Sequence, residues 1–482
     1  MLATLIKQTN WSILGAVFGF AIGFLIKGFV VQSVGLDSYG LYIKGYVFIT
    51  AISTIIAFGF PQLVLKFLPD LIGNNKGEAK DLTNRTVSYI LISSLASGLL
   101  LFAFSAYIAT YIFQNTAMES ILQWSALYLP VILLISILTS LYRGVIRIKE
   151  IVVYGTFVSV TLRGILTIIL FQYTNQIEYF IGVEALVQLI VVILLWWKFS
   201  KDFYPLKVRI DFLRIFKESK YFSFAKFVFT GSVVTYAGSE LLTLLVSLML
   251  PEKEVGAYSL MLTITGVSIF ILINLNKVFA PIVSKLFKEN KLEELKQTYQ
   301  KSTFLINAIT LPFVLLMLFF LPLILSYFGS EMNAYIFLTA LMFLSIGATL
   351  PVGSSGVIMN MAGMEKENVW VQLLKASLSV ILLFIFIEQY QILAVVIIYV
   401  FSEYFKNYLQ VFIIWKKIKI HPFTKELILL YLLCIPFMIY FIQLEFNWKI
   451  KDYFVVPIVV CLSFVFVSFN KVKSILNEIN AS

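Results

Sequence analysis

Ten ionisable residues lie inside long apolar runs of this chain, and its chemistry is to be sought among them. The cations are Lys27, Lys44, Arg163, Lys226, Lys277, Lys375 and Lys406, and the acids are Glu184, Glu240 and Glu403. A charge inside an apolar span is costly, so it faces a bundle interior or wet cavity, pairs with another charge, or reaches to an interface. The excess of cations favours an anionic ligand, and lysine meets phosphate as a point charge without arginine's planar fork. For Lys44, Lys226 and Lys277, about a turn from a span end, extension of the amine to the interface competes with a site role. Lys27 lies deeper, and for it the two readings are balanced. Arg163 is near mid-span and its counterpart Lys375 is well inside; for both, a cavity role and an ion pair with Glu184 or Glu403 remain open. Glu403 and Lys406 are three apart on one helix face and suit each other as partners. Glu240 has no local partner, which makes it a candidate coupling site for H+ or Na+, with Glu184 and Glu403 as further candidates.

Other chemistry is scarce. The single histidine, His421, precedes Pro422 in a basic loop, so a histidine metal site or a Ser-His triad has no material. No GxxxxGK[ST] loop occurs, and Cys434 and Cys461 both sit in apolar runs. Glu293 and Glu294 belong to an amphipathic stretch that reads as a solvated helix. The chain is therefore expected not to be an enzyme and to hold no cofactor or metal, and no catalytic residue is assigned. The net charge of +11 would suggest nucleic acid if the lysines were clustered, but most of them flank apolar runs, where membrane topology explains them.

The elements that must position these residues are membrane helices. With 60% hydrophobic and 13% charged residues, 45 Phe and a mean hydropathy of +0.92, the chain cannot cover a soluble globule. Its apolar runs are near the roughly 20 residues a bilayer core demands, and they do not alternate as barrel strands do. The prediction is an all-α integral membrane protein of fourteen spans, beginning with Trp11 to about Ser33. Gly15, Gly19 and Gly23 repeat every four residues in that span and favour close approach of another helix. If the N-terminus is cytoplasmic, nearly all loop lysines and arginines fall inside, with only Lys253, Lys449 and Lys451 outside, so both termini are expected in the cytoplasm.

A repeat organises the spans. VGLDSYGLY near Gly35 returns as LPEKEVGAYSL near Leu250, each carrying Gly-x-Tyr (Gly40 and Tyr42; Gly256 and Tyr258), an apolar span, then Pro61 or Pro281. Gly144-Val145-Ile146 recurs as Gly356-Val357-Ile358, with Arg163 and Lys375 each nineteen positions later. Six spans per half make a parallel repeat. The expected domains are an N-terminal lobe at 1–200, a basic cytoplasmic linker at 201–221, a C-terminal lobe at 222–418, and two added spans with a tail at 419–482. Twofold pseudosymmetry would bring Lys27, Lys44, Lys226 and Lys277 together as a cationic cleft suited to phosphate. The linker suits anionic headgroups, with Phe203, Tyr204, Phe212 and Phe216 dipping inward. Trp11, Tyr42, Tyr46, Tyr236 and Tyr258 are placed to stack on sugars, although packing explains aromatics in so aromatic a chain.

The run VGLDSYGLY followed by FGFPQLVLKFLPDL resembles the signature of bacterial polysaccharide-biosynthesis membrane proteins, the O-antigen repeat-unit flippases of the multidrug/oligosaccharidyl-lipid/polysaccharide exporter superfamily. The likeness is specific over Gly35 to Leu71 and looser elsewhere. It implies two six-helix lobes in a V, alternating access, and transfer of an undecaprenyl-diphosphate-linked oligosaccharide from the inner to the outer leaflet of the bacterial cytoplasmic membrane. It also implies a cationic cavity, here Lys27, Lys44, Arg163, Lys226, Lys277 and Lys375, a groove for the lipid tail beside the extra helices, and association with other polysaccharide-assembly membrane proteins. Related lipid II flippases carry arginines in their early spans, where this chain has Lys27 and Lys44. Two alternatives stand beside this expectation: a cation-coupled multidrug exporter of the same superfamily, which calls for an anionic cavity, and a membrane glycolipid polymerase or ligase, which calls for a large outer loop.

Overall fold

Apolar runs of this length leave the backbone no hydrogen-bond partner but itself, and every regular element among the described residues is helical. The structure is a computed structural model that describes residues 2–443, 449 and 452–481, with side chains at all of these except 2–10, 12, 13, 271, 277, 278, 442 and 476–481. Among the described residues 9 helices are long and apolar enough to cross a membrane, or up to 11 if each of two bent pairs is one span. Two of the helices are double-length: α1 (Leu2–Ala57), and a 54-residue helix at Glu365–Ile418. Each has one break, at Gly35 (φ 82°, ψ 168°) and at Gln391 (φ 45°, ψ −127°). Taken as tandem spans, and with Lys425–Gln443 added, they make a layout consistent with fourteen. The polar turn expected after the first span shrinks to Gly35 alone, because its dihedrals lie in a region essentially reserved for glycine, and Leu36 resumes the helix.

The chain forms two compact units, Met1–Gly256 and Ala257–Ser482. The first contains α1, then α2 (Phe60–Asn74), α3 (Lys76–Ala103), α4 (Met118–Gly144), α5 (Ile148–Leu170) and α6 (Ile177–Asp202). The bent pair α7 (Ser219–Ser239) and α8 (Leu241–Met249), angled 56° at Glu240, completes it with the start of α9 (Glu252–Gly266). Helix α4 is the centre of this unit and packs on α2, α3 and α6. The second unit runs through α10 (Phe270–Lys288), α11 (Leu292–Phe319), α12 (Ser330–Thr349), α13 (Glu365–Ile418), α14 (Lys425–Gln443) and α15 (Asp452–Ala481), with α11 as its most buried span.

The glycine stripe of α1 receives α5. A β-carbon on Gly15 would lie 2.7 Å from Val152 Cγ1, and one on Gly19 would lie 2.9 Å from Thr156 Cγ2. Both contacts are below van der Waals separation, so the two backbones approach as closely as they do only because no side chain stands between them. The facing part of α5, Val153–Val158, is wound as a π turn, an irregularity frequent at functional sites.

Candidate functional site

In the first unit α5 and α6 bring a guanidinium to a carboxylate. Glu184 shares a buried α6 stripe with Phe180, Ile181 and Val187, a spacing that puts all four on one face. Its Oε1 accepts from Arg163 Nη1 at 3.1 Å, and its Oε2 accepts from the Tyr42 hydroxyl at 2.8 Å. Lys27, from the first half of α1, lies within electrostatic range of both Arg163 and Glu184. Tyr46 and Tyr128 lie within range of the same pair, and Tyr39, Tyr42 and Tyr46 form a ladder with ring centroids 5.8 and 6.0 Å apart.

Two cations thus share one carboxylate, and the group is net positive. Arg163 keeps 25% of its side chain exposed, while its buried Nε has no hydrogen-bond partner among the described residues. A buried donor left unmade costs free energy, so this nitrogen is a place where an added acceptor would be favourable. Gly23 supports the arrangement: a β-carbon there would come to 3.7 Å from Arg163 Nη2, so a longer side chain would crowd the guanidinium.

The second unit builds the corresponding pair within α13. Lys375, in the first half, donates to Glu403 Oε1 at 2.6 Å, and Lys406 donates to Oε2 at 2.6 Å. Asn407 Nδ2 reaches Oε2 at 3.4 Å and Thr349 Oγ1 at 3.2 Å. A polar chain continues alongside and runs from buried to exposed: the Ser355 hydroxyl to Gln410 Oε1 at 2.9 Å, Gln410 Nε2 to Asn368 Oδ1 at 2.8 Å, and Asn368 Nδ2 to the exposed Asn360 Oδ1 at 2.8 Å. Both oxygens of Glu403 are occupied by amines.

Lys44 is placed differently. Residues two apart on a helix do not share a face, so with Tyr42 and Tyr46 turned to Glu184, Lys44 points to the other flank. There its amine meets Glu252 Oε1 at 2.8 Å, which also accepts from Asn115 Nδ2 at 3.0 Å, and only 4% of the Lys44 side chain is exposed. The pair clamps a helix crossing one turn away. A β-carbon on Gly40 would fall 1.8 Å from the Glu252 carbonyl oxygen, and one on Gly256 would fall 2.6 Å from that of Leu36. The glycines of the two motif copies are therefore the crossing point itself, and Gly-x-Tyr is a packing device there.

Lys226 is exposed on α7, Glu240 is exposed at the α7–α8 bend, and the Lys277 side chain lies outside the described residues. Glu184 and Glu403, expected as coupling-ion acceptors, each already hold side-chain cations. A cavity of about 310 Å³ between α3 and α4, lined by Leu91, Gly98, Phe102, Leu127 and Pro130 among others, and one of about 350 Å³ lined by Tyr404, Tyr408, Phe423 and Tyr431, are not lined by these charges. Of the expected sugar-stacking aromatics, Tyr258 is fully buried and Trp11 packs on Phe157 at 6.2 Å. The sequence reading missed Glu252 and Asn115, which flank apolar runs; the PEKE turn before Gly256 was the available signal.

The sequence profile of a family described as "Polysaccharide biosynthesis protein" matches residues 34–337. No curated protein sequence matches the chain. Among solved structures, lipid II flippase MurJ in an inward closed conformation is similar with TM-score 0.72 at 13% identity, covering 97% of this chain and 99% of its own. An inward-facing multidrug resistance MATE family transporter of the MOP superfamily has TM-score 0.65 at 14% identity, covering 84% of this chain and 94% of that one. A MOP superfamily transporter from Pyrococcus furiosus, described as having a binding pocket of reverse polarity, has TM-score 0.60 at 13% identity, covering 86% of this chain and 95% of that one.

Proposed function

The chain belongs to the polysaccharide biosynthesis protein family, and from that membership we propose that it is a flippase, moving a lipid-linked oligosaccharide across the membrane by alternating access. The substrate class we assign is an undecaprenyl-diphosphate-linked repeat unit, passed from the inner to the outer leaflet of a bacterial cytoplasmic membrane, with both termini on the cytoplasmic side. The observation that carries this reading is the group formed by Arg163, Lys27 and Glu184, net positive and with an unsatisfied guanidinium nitrogen.

In the resting arrangement Glu184 holds the guanidinium in place. An arriving diphosphate offers more oxygen acceptors and more negative charge than one carboxylate, so it competes for Arg163 and draws on Lys27. Tyr42 then keeps Glu184 supplied with a hydrogen bond while its guanidinium partner is shared. The diphosphate enters a group in which two cations already face one carboxylate, so its own negative charge is met by cations as it leaves the headgroup region. The flippase fold covers 97% of the chain against 84% and 86% for the two transporters, which supports the two C-terminal spans as part of the flippase plan. A cation-coupled drug exporter needs an anionic cavity, and the intramembrane acids Glu184 and Glu403 are taken by cations.

The test is reconstitution in liposomes with an undecaprenyl-diphosphate saccharide, following leaflet exchange beside dye efflux. Exchange that falls with Lys27→Gln and Arg163→Gln at normal protein levels is expected. Dye efflux without leaflet exchange would overturn the reading.

A further inference from the structure

The linker between α6 and α7 has one side bound to the helices and one side exposed. Its inward side is fully engaged with α3. The Lys207 amide donates to Asn84 Oδ1 at 3.1 Å and the Arg209 amide to Ser88 Oγ at 2.8 Å, while the Tyr204 hydroxyl meets Thr83 Oγ1 at 2.9 Å. Arg209 is gripped by Asp81 and by Asp211, and Arg85 binds Asp81 at 2.9 Å and Glu218 at 2.7 Å. The aromatics expected to dip into lipid are instead part of this docking. Phe216 packs on Phe60 at 5.8 Å and on Tyr89 at 5.5 Å, Phe212 on Tyr89 at 6.4 Å, and Phe203 on Phe199 at 4.9 Å.

The amides of Lys207 and Arg209 hold the linker on α3, and Val208 between them, with Ile210 and Leu213 in the short helical turn that follows (Ile210–Phe216), is left exposed. Val208 is 52% exposed, Ile210 95% and Leu213 59%. The exposed Lys207, Arg214 and Lys217 stand around them, and Lys207 and Lys217 have no carboxylate partner among the described residues. The linker joins the ends of two membrane-spanning helices, α6 and the α7–α8 pair, so it lies at one membrane face by connectivity alone. An apolar tip ringed by unpaired amines at that depth matches the acyl boundary beneath anionic headgroups in both hydrophobicity and charge.

We propose that Val208, Ile210 and Leu213 insert into the adjacent leaflet as an interfacial anchor, with Lys207 and Lys217 selecting anionic lipid. Phosphate-bearing headgroups of net negative charge are the partner, and the anchor is independent of the transported substrate.

The full-length chain, with Ile210→Cys in a Cys434→Ser, Cys461→Ser background, is labelled with the environment-sensitive fluorophore NBD. It is then placed in nanodiscs of phosphatidylcholine with or without phosphatidylglycerol. Expected with phosphatidylglycerol are a blue-shifted emission, quenching by a shallow nitroxide lipid and protection from iodide. Lys207→Gln with Lys217→Gln weakens all three signals, as does salt of about 1 M, where the screening length is about 3 Å. A label at the solvated position Glu293→Cys stays water-like throughout and reports an intact fold. Water-like emission with full iodide access at position 210 overturns insertion; an equal shift in pure phosphatidylcholine overturns the selection of anionic lipid; a shift that appears only after a second protein is added assigns the surface to a protein and overturns both.

Discussion

The ion triads of the two units have the same charge inventory and different fates. In the second, Glu403 sits between Lys375 and Lys406 with side-chain exposures of 11%, 11% and 18%, and each carboxylate oxygen is bound by an amine. In the first, Glu184 shares itself between Arg163 and Tyr42, and the guanidinium keeps both exposure and an unsatisfied nitrogen. The half of α13 that presents Lys375 is regular up to its break at Gln391, whereas Arg163 follows a π turn seated against α1 at Gly19. Related spacing in sequence therefore leads to a carboxylate closed by two amines in one half and to a guanidinium that keeps an unmatched donor in the other. Net charge inside a membrane says little about function until the donors left over are counted.

The comparison breaks most sharply at the carboxylates. Glu403→Gln leaves two neighbouring buried amines without a counter-ion, and removing one partner of a buried pair costs about 3–5 kcal/mol. A large drop in thermal stability in detergent is the expected outcome. Glu184→Gln keeps the Tyr42 contact and leaves a guanidinium that is 25% exposed against 11% for the Lys375 side chain, so its loss should be less than half as great. Equal losses would mean that both triads are structural.

Next in size is the effect on ligand. A hydrogen bond to a charged group is worth about 1.5–3 kcal/mol, so Arg163→Gln should weaken binding of an undecaprenyl-diphosphate saccharide by about 10- to 100-fold, with a smaller loss of thermal stability than Glu403→Gln because Tyr42 and Lys27 still face Glu184. Lys375→Met should do the reverse, lowering the melting temperature and sparing affinity in the protein that folds. Scintillation-proximity binding beside thermal unfolding separates the two patterns. Arg163→Lys, which keeps charge but loses the fork, falls between them.

How much of this was legible beforehand follows from the range of each interaction. The helical class, the multi-pass plan and the packing role of Gly15 and Gly19 are local properties of apolar period and small residues, and they read correctly. The partners offered for Arg163 and Lys375 as an alternative, Glu184 and Glu403, are the ones found, because a buried cation needs a counter-ion and few acids were available. The cation grouping was harder to read. Lys44 seemed free because Glu252 lies about two hundred residues away, and which flank it faces depends on where Tyr42 and Tyr46 point. The linker aromatics were misassigned because composition does not reveal that Asn84 and Ser88, on another helix, hold the linker in place, where Phe212 and Phe216 find ring partners in Tyr89 and Phe60.

A smaller effect tests why the first triad is open. Gly19→Val would place methyl groups against Thr156, and overpacking of a close contact costs about 1–3 kcal/mol. The expected result is a modest loss of stability with a larger loss of leaflet exchange, because displacing the π turn moves Arg163 with it. Gly231→Val, at a position with open space around it, should change neither; loss of exchange there as well would remove the π turn from the explanation.

The smallest effect is a pH response of the linker, where the same accounting of donors applies outside the membrane. Arg209 holds Asp211 by Nε to Oδ1 at 2.8 Å and Nη2 to Oδ2 at 2.9 Å, and this hydrogen bonding, followed by the charges of Arg209, Arg85 and Arg214, keeps the Asp211 carboxyl below the usual carboxylate range. A carboxyl whose folded value is depressed binds fewer protons folded than unfolded, so its contribution is complete above the unfolded value of about 3.9 and disappears as pH falls through the lower folded value. Between pH 7 and 5 the linker should stay docked, as read by the anisotropy of a fluorophore at Leu213→Cys, and below about pH 4 it should loosen. Asp211→Asn should remove part of that acid transition and leave the anisotropy lower at neutral pH. If the variant's titration overlays the parent's, Asp81 and Glu218 carry the docking through Arg85 and Arg209, and Asp211 merely accompanies them.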